Sequence, residues 1–399
     1  MPTPLDGLKV IDLAQGWSGP LCAMMLGDLG AEVVKVEPPA GDFTRRLGPP
    51  LADGQSAPFL SLNRSKKGIV LDFVNEPGKE VVLRLAKRAD VLIESFPPGE
   101  ADRLGIGYED LRAINPRLVY VTVTPFGQDG PYRNRPGSEL VIQAMSGFWP
   151  WQGVQGEPPV TLGDDTAAEA AARDCLSGVM GALLYRERTG KGQRVDVSEL
   201  GSIIGAQAYA LGWDSDPDTP SPSIVDGERR PPEIGYQTKD LPVTFIFYIS
   251  GYISNEAAWQ KFFASVGRQD MVGDPRFLTI FARNTNREAL REELEAAFKD
   301  KTAEEVLQRV YELGGIGVAF NTIESLARHP QVLANDLVVE VDHPTIGKFK
   351  GFGVPWMFHE TPTHIHQAPP LLGQHTEEVL RGLGYTSHDI KALKMEKVV

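Results

Sequence analysis

Cysteine is scarce: the 399-residue chain has two, Cys22 and Cys175. Both fall in apolar, helix-spaced segments. That is the setting of buried thiols rather than of a disulfide or a metal pair, and it fits a reducing, cytoplasmic compartment. No run of about 18 apolar residues occurs, so no membrane span is expected. The start, Met1-Pro2-Thr3-Pro4-Leu5-Asp6, has no charged region followed by an apolar stretch, so no secretory leader is expected. Positive charge is in deficit: 40 Lys and Arg stand against 53 Asp and Glu, a net charge of −13. That balance argues against a nucleic-acid binder. Histidine is absent until His329, and all seven lie from there to His388. His364-Ile365-His366 puts two imidazoles on one strand face, but nothing nearby supplies further ligands, so no metal centre is expected.

What the chain does contain is an α/β pattern with 42% hydrophobic residues, enough for one large or two ordinary domains. Residues 8–13 read as a strand, 14–19 as a glycine-bearing turn, 20–30 as a helix and 33–37 as a second strand. Further apolar strands are expected at 68–73, 89–94, 117–123 and 193–197, with helices at 78–87, 167–186 and 199–211. Continuous apolar runs separated by helices predict a mostly parallel sheet covered on both faces. The first turn carries Gly16 and Gly19 but has Ala14 where a dinucleotide fingerprint needs its first glycine, which argues against a nicotinamide enzyme. Residues 214–232 are rich in proline and acid and read as a linker. Amphipathic helices at 257–266, 286–299 and 302–313 then suggest a smaller domain. Arg45, Arg46, Arg64, Lys66 and Lys67 form a local basic cluster, a candidate anion site in an otherwise acidic chain.

Several motifs run in order along the chain. They are Gly7-Leu8-Lys9-Val10-Ile11-Asp12-Leu13, the stretch from Gly27-Asp28-Leu29-Gly30 to Glu37-Pro38-Pro39-Ala40-Gly41-Asp42, and Leu62-Asn63-Arg64-Ser65-Lys66-Lys67-Gly68. Then come Glu94-Ser95-Phe96-Pro97-Pro98-Gly99, Phe126-Gly127-Gln128-Asp129-Gly130-Pro131-Tyr132, Arg188-Thr189-Gly190-Lys191-Gly192 and Pro369-Pro370-Leu371-Leu372-Gly373. With these the chain resembles the class III CoA-transferases, the family that includes formyl-CoA transferase and carnitine CoA-transferase. The resemblance implies an α/β fold with a Rossmann-like large domain built from both chain ends, a smaller α+β domain between them, and two subunits interlocked as a homodimer. The corresponding boundaries are 1–213, a linker at 214–232, a small domain at 233–328 and a C-terminal return at 329–399. It implies coenzyme A or acyl-CoA as substrate, a small carboxylic acid as second substrate and no tightly bound cofactor. It also implies chemistry through an aspartyl mixed anhydride and an enzyme–CoA thioester, with backbone N–H groups of the turn at 15–19 and of the following helix stabilising oxyanions.

The family's aspartate opens the long helix that leads into Arg-Thr-Gly. A count of roughly six turns back from Gly190 reaches Ala168. Asp165 and Asp164 lie just upstream and Glu169 just beyond, so the resemblance nominates Asp165 or Asp164, with Glu169 as an alternative nucleophile. As residues alone, Asp164 and Asp165 are equally natural first-turn and N-cap groups. Gln15 is the catalytic amide candidate, since Trp17 occupies the position where some relatives carry glutamine. The CoA-contact candidates are Gly16, Trp17, Ser18, Arg64, Lys67, Phe96, Arg103 and Tyr132. Trp17, Phe148, Trp149 and Trp151 are candidates for an apolar acyl pocket. Two other readings stand beside transfer. One is an α-methylacyl-CoA racemase, which would need a histidine near Gly137-Ser138-Glu139-Leu140, where none stands. The other is an acyl-CoA-binding relative without turnover.

Overall fold

A computed structural model describes residues 2–51, 55–147, 158, 160–207, 235–250 and 253–399. The chain divides into two compact units, one drawing on Met1–Trp149, Val160–Ser215 and Asn335–Val399, the other on Pro150–Pro159 and Asp216–Ala334. The expected linker at 214–232 lies outside the described residues.

The larger unit is organised by a six-stranded sheet. Its strands are β1 (Lys9–Asp12), β2 (Glu32–Glu37), β3 (Lys66–Val70), β4 (Val91–Glu94), β5 (Val119–Thr124) and β6 (Arg194–Ser198). The spatial order is β3-β2-β1-β4-β5-β6 and every pairing is parallel. The helices are α1 (Ser18–Asp28), α2 (Ala57–Leu62), α3 (Glu76–Ala86), α4 (Glu100–Arg103), α5 (Tyr108–Ile114), α6 (Glu139–Met145), α7 (Thr166–Thr189) and α8 (Glu199–Ala206). The α/β, Rossmann-like expectation therefore holds. Side chains of β1 alternate between two cores, as strand geometry requires. Val10 joins Val33, Val91 and Val121 beneath Met24 of α1 and Cys175 of α7. Ile11 joins Val34, Leu92 and Tyr120 beneath Val81 and Leu85 of α3, with Leu380, Ile390 and Leu393 from the C-terminal segment. Burial on both faces is why these strands read as unbroken apolar runs. Cys22 and Cys175 are free, buried thiols. No helix among the described residues is long and apolar enough to cross a membrane.

The basic cluster expected as an anion site is dispersed: Arg64 and Lys66 are buried, Arg45 and Lys67 are partly buried in ion pairs, and Arg46 is exposed with its guanidinium on the Ala40 carbonyl. Lys35 and Lys66 project from β2 and β3 into one fully buried network with Asp12 and Asp42. Lys66 Nζ lies 2.8 Å from Asp12 Oδ2 and donates to the Pro20 carbonyl at 2.7 Å and to Asn63 Oδ1 at 2.8 Å. Lys35 Nζ lies 2.9 Å from Asp42 Oδ2 and donates to the Ala14 carbonyl at 3.0 Å. Burial brings the Lys66 ammonium down to about 8, against the opposing pull of Asp12. Burial would lower Lys35 too, but the charges of Asp12, Asp42 and Glu37 outweigh it and raise that group. Arg45 is bound by Glu37 at 2.7 Å, Arg64 by Asp28 at 2.8 Å, and Lys67 by Glu32 at 3.2 Å and Glu378 at 2.9 Å.

The smaller unit pairs Val243–Ile246 with Ile316–Ala319 in antiparallel register. Helices Glu256–Ser265, Arg287–Phe298 and Ala303–Glu312 surround an aromatic core of Phe245, Phe247, Trp259, Phe262 and Phe298.

Removing one partner of a buried ion network leaves the others desolvated and uncompensated. Lys66→Met is expected to cost about 3–5 kcal/mol of stability. Chemical denaturation followed by tryptophan fluorescence measures it, and an unshifted midpoint would refute the role given to Lys66.

Candidate active site

In a parallel sheet of this order the strand order reverses between β1 and β4, and ligands bind outside the carboxyl ends of the strands at that point. A cleft of about 750 Å³ opens there. Its floor is the turn Gln15–Gly19, and its walls include Ser95, Phe96 and Pro97 after β4 and Pro125 after β5. Glu139, Asp165 and Glu199 also line it. These three acids mark the starts of α6, α7 and α8, and Ser18 marks the start of α1. Helix N-termini carry unpaired N–H groups and positive dipole ends, so their convergence suits carboxylates and developing oxyanions.

The turn is held from both sides. The Gln15 N–H donates to Ser95 Oγ at 3.1 Å, and the Ser95 hydroxyl donates back to the Gln15 carbonyl at 3.4 Å. Gly16 adopts φ +86°, a left-handed conformation that favours glycine. A Cβ on Gly19 would stand 2.2 Å from Ala14 Cβ, so only glycine lets α1 start this close to β1. The ring of Trp17 packs on Phe43 at 5.7 Å.

Asp165 is the N-cap residue of α7, yet its carboxylate makes no capping bond. Glu139 caps the helix instead, accepting from the Ala167 N–H at 2.8 Å and the Ala168 N–H at 3.2 Å. Asp165 is thereby left facing the cleft, whose lining also includes Trp17. Burial, then the charges of Glu139, Asp164 and Glu169, push its carboxyl above the usual range, and the nearby Trp17 indole opposes them. Glu199 accepts from Ser18 Oγ at 2.6 Å. Burial raises it as well, the Ser18 bond opposing and the charges of Glu139 and Asp165 adding.

A family model described as CoA-transferase family III matches residues 5–376. The chain belongs to CoA-transferase family III. It is 35% identical to the succinyl-CoA:glutarate CoA-transferase of Mus musculus over 95% of this chain and 86% of that protein. It is 32% identical to the formyl-CoA:oxalate CoA-transferase of Streptomyces coelicolor over 99% of each. Among solved structures it is similar to a CaiB/BaiF family protein from Brucella suis, with a TM-score of 0.85, 32% identity, and 96% of this chain and 100% of that one covered. The chain is thus an enzyme of the CoA-transferase class.

In this family III CoA-transferase the expected site residues separate into two groups. Gln15, Gly16, Trp17, Ser18, Phe96 and Asp165 share the cleft. Asp164 does not: its side chain is exposed and accepts from the Thr166 hydroxyl. Glu169 pairs with Arg173 at 3.1 Å on the exposed side of α7. Arg64 is buried against Asp28 and the carbonyls of Phe352 and Gly353. Lys67 sits at the amino end of the sheet, opposite the cleft, with Lys9 and Glu32. Arg103 is exposed and paired with Glu100 at 2.5 Å. Tyr132 packs on Phe126 at 5.7 Å and under Arg135 at 3.7 Å, apart from the cleft lining. Phe148, Trp149 and Trp151 lie outside the described residues. The six-turn count stopped at Ala168 because α7 is 24 residues long and begins earlier, at Thr166.

Glu139 and Glu199 are the members that sequence reasoning missed. Glu139 lies in the stretch where a racemase needs a histidine, and its sequence neighbourhood does not show that it caps α7. Glu199 follows Ser198 at a strand-to-helix junction, where an acid reads as a first-turn dipole partner. Replacing Glu139 by Ala removes charge-assisted bonds to two buried amides and is expected to cost about 2 kcal/mol. Hydrogen exchange should accelerate at the Ala167 and Ala168 amides, and unaltered protection there would contradict the capping role.

Proposed function

We propose that this chain moves CoA from an acyl-CoA thioester to a carboxylic acid, with Asp165 as the covalent nucleophile. The observation that carries this reading is the Asp165 carboxylate. It is the N-cap residue of a long helix, is relieved of capping by Glu139, and faces the cleft beside the turn Gln15–Gly19.

In the first step an Asp165 oxygen attacks the thioester carbonyl carbon. The carbon–sulfur bond breaks, CoA leaves as the thiolate, and a mixed anhydride remains. The thiolate then attacks the Asp165 side-chain carbonyl, the acyl carboxylate departs, and an enzyme–CoA thioester forms. The incoming acid reverses the order. Its carboxylate displaces CoA from Asp165 to give a new anhydride, and the thiolate attacks the new acyl carbonyl. The products are the new acyl-CoA and free Asp165. Splitting the exchange this way replaces one difficult step by easier ones. Each tetrahedral intermediate develops an oxyanion, and the N–H groups at the start of α1 are oriented donors for it. No proton is transferred in any step, which agrees with a cleft whose described lining holds carboxylates and no histidine. The racemase alternative needs a histidine to exchange an α-proton.

The interlocked homodimer belongs to the same proposal and is supported by family membership. The buried free thiols Cys22 and Cys175 support a reducing compartment.

Incubation with an acyl-CoA followed by hydroxylamine should leave a hydroxamate at Asp165, detected by peptide mass spectrometry. Asp165→Ala should lose kcat by about 10⁴-fold or more, the scale seen when a covalent nucleophile is removed. No adduct at Asp165 with any acyl-CoA would overturn the reading. A pH profile gives a second check. Asp165 acts ionised, so kcat/KM should rise with pH through its elevated pKa. Glu139→Gln removes one of the charges that elevate it, so that limb should move to lower pH.

A further inference from the structure

Ser18 opens α1 and Glu199 opens α8, 181 positions later in the chain. Their side chains meet at 2.6 Å, Ser18 Oγ donating to Glu199 Oε1. Both residues line the cleft that holds Asp165. Among the described residues nothing is bonded to the second oxygen, Glu199 Oε2. The transfer steps leave this pair idle, because they need a nucleophile and oxyanion donors and move no proton.

Glu199 Oε2 is open to the cleft rather than buried without a partner. An acid that displaces water from it without offering a donor leaves it unpaired, which is costly. Glu199 also adds like charge beside Asp165. That arrangement is compensated when the ligand brings a donor of its own. We propose that Glu199, held in place by Ser18, reads a hydrogen-bond donor on the carbon chain of the transferred acid, either a hydroxyl or a protonated amine. The inference rests on the transfer reading, because the acyl group released and the acid taken up pass in turn through the same Asp165. The same carboxylate repels a second carboxylate on the substrate, so specificity has an attractive and a repulsive part. Plain dicarboxylates are therefore poor acceptors for this enzyme.

The test is a matched acceptor series at fixed acyl-CoA: butyrate, its 3- and 4-hydroxy and 3- and 4-amino derivatives, and glutarate. The wild-type enzyme should favour at least one hydroxy or amino member over both butyrate and glutarate by about tenfold or more in kcat/KM, the scale of a hydrogen bond to a charged group. Glu199→Met should shrink that ratio toward one and relieve the discrimination against glutarate. Ser18→Ala should shrink it in part. The hydroxyl and amine arms tell which donor is read. Ratios that are the same in wild type and Glu199→Met, or a wild-type enzyme indifferent to every derivative, overturn the inference. Hydroxylamine trapping from acyl-CoA alone separates the two readings. Trapping at Asp165 without donor preference removes this inference only, and no trapping in the wild type removes both.

Discussion

Four charged side chains with no exposed surface, Asp12, Lys35, Asp42 and Lys66, meet beneath the turn that forms the cleft floor. They come from the last residue of β1, the interior of β2, the first residue of β3 and the segment after β2. Desolvating them is expensive, and only near-complete pairing makes the burial tolerable. The pairing also fixes backbone. Lys35 holds the Ala14 carbonyl, Lys66 holds the Pro20 carbonyl, and Asp12 Oδ1 accepts the Ala14 N–H at 3.1 Å. Asp42 Oδ1 accepts from the Thr44 N–H at 2.9 Å and the Gly16 N–H at 3.4 Å. The strand-to-helix turn is therefore clamped at both ends by groups that cannot move without exposing bare charge. In the proposed transfer mechanism a floor of backbone N–H groups needs that rigidity, since its donors must already point at the oxyanion when it forms.

Above the clamp the site is arranged by helix starts. α1, α6, α7 and α8 each begin at the cleft, and the acids that belong at helix N-termini line it. The assignment of Glu139 to the cap of α7 changes what Asp165 can do. An aspartate that caps its own helix is a structural residue with its lone pairs committed. One whose capping duty is taken by another carboxylate stays free to attack. In the proposed mechanism the neighbouring negative charges that raise the Asp165 carboxyl also make it a better nucleophile once ionised.

The parallel sheet, the helices that flank it and the buried thiols were legible in the sequence because they depend on local periodicity. An unbroken apolar strand followed by a glycine turn and an apolar helix has few other ways to fold. The family motifs identified the chain's kinship for a similar reason: each is a short, contiguous stretch. The basic cluster shows where such reading stops. Arg64, Lys66 and Lys67 look alike as closely spaced cations, yet one binds Asp28, one enters the buried network and one pairs with Glu32 and Glu378 at the far end of the sheet. Direction along a strand and the identity of a distant partner decide this, and neither is written locally.

The sequence by itself determined the fold class, the glycine-bearing turn at Gln15–Gly19 between the first strand and helix, and the presence of an acid at the head of the long helix. It left Asp164, Asp165 and Glu169 as rivals because adjacent positions at a helix start differ by about 100° in direction, and a count of turns cannot fix where the helix begins. The tertiary structure decided which of them faces the cleft. It did so by bringing Glu139, 28 positions away, onto the Ala167 amide, and by setting Ser18 against Glu199. Those are contacts across the sheet's carboxyl edge, made only once the strands are ordered.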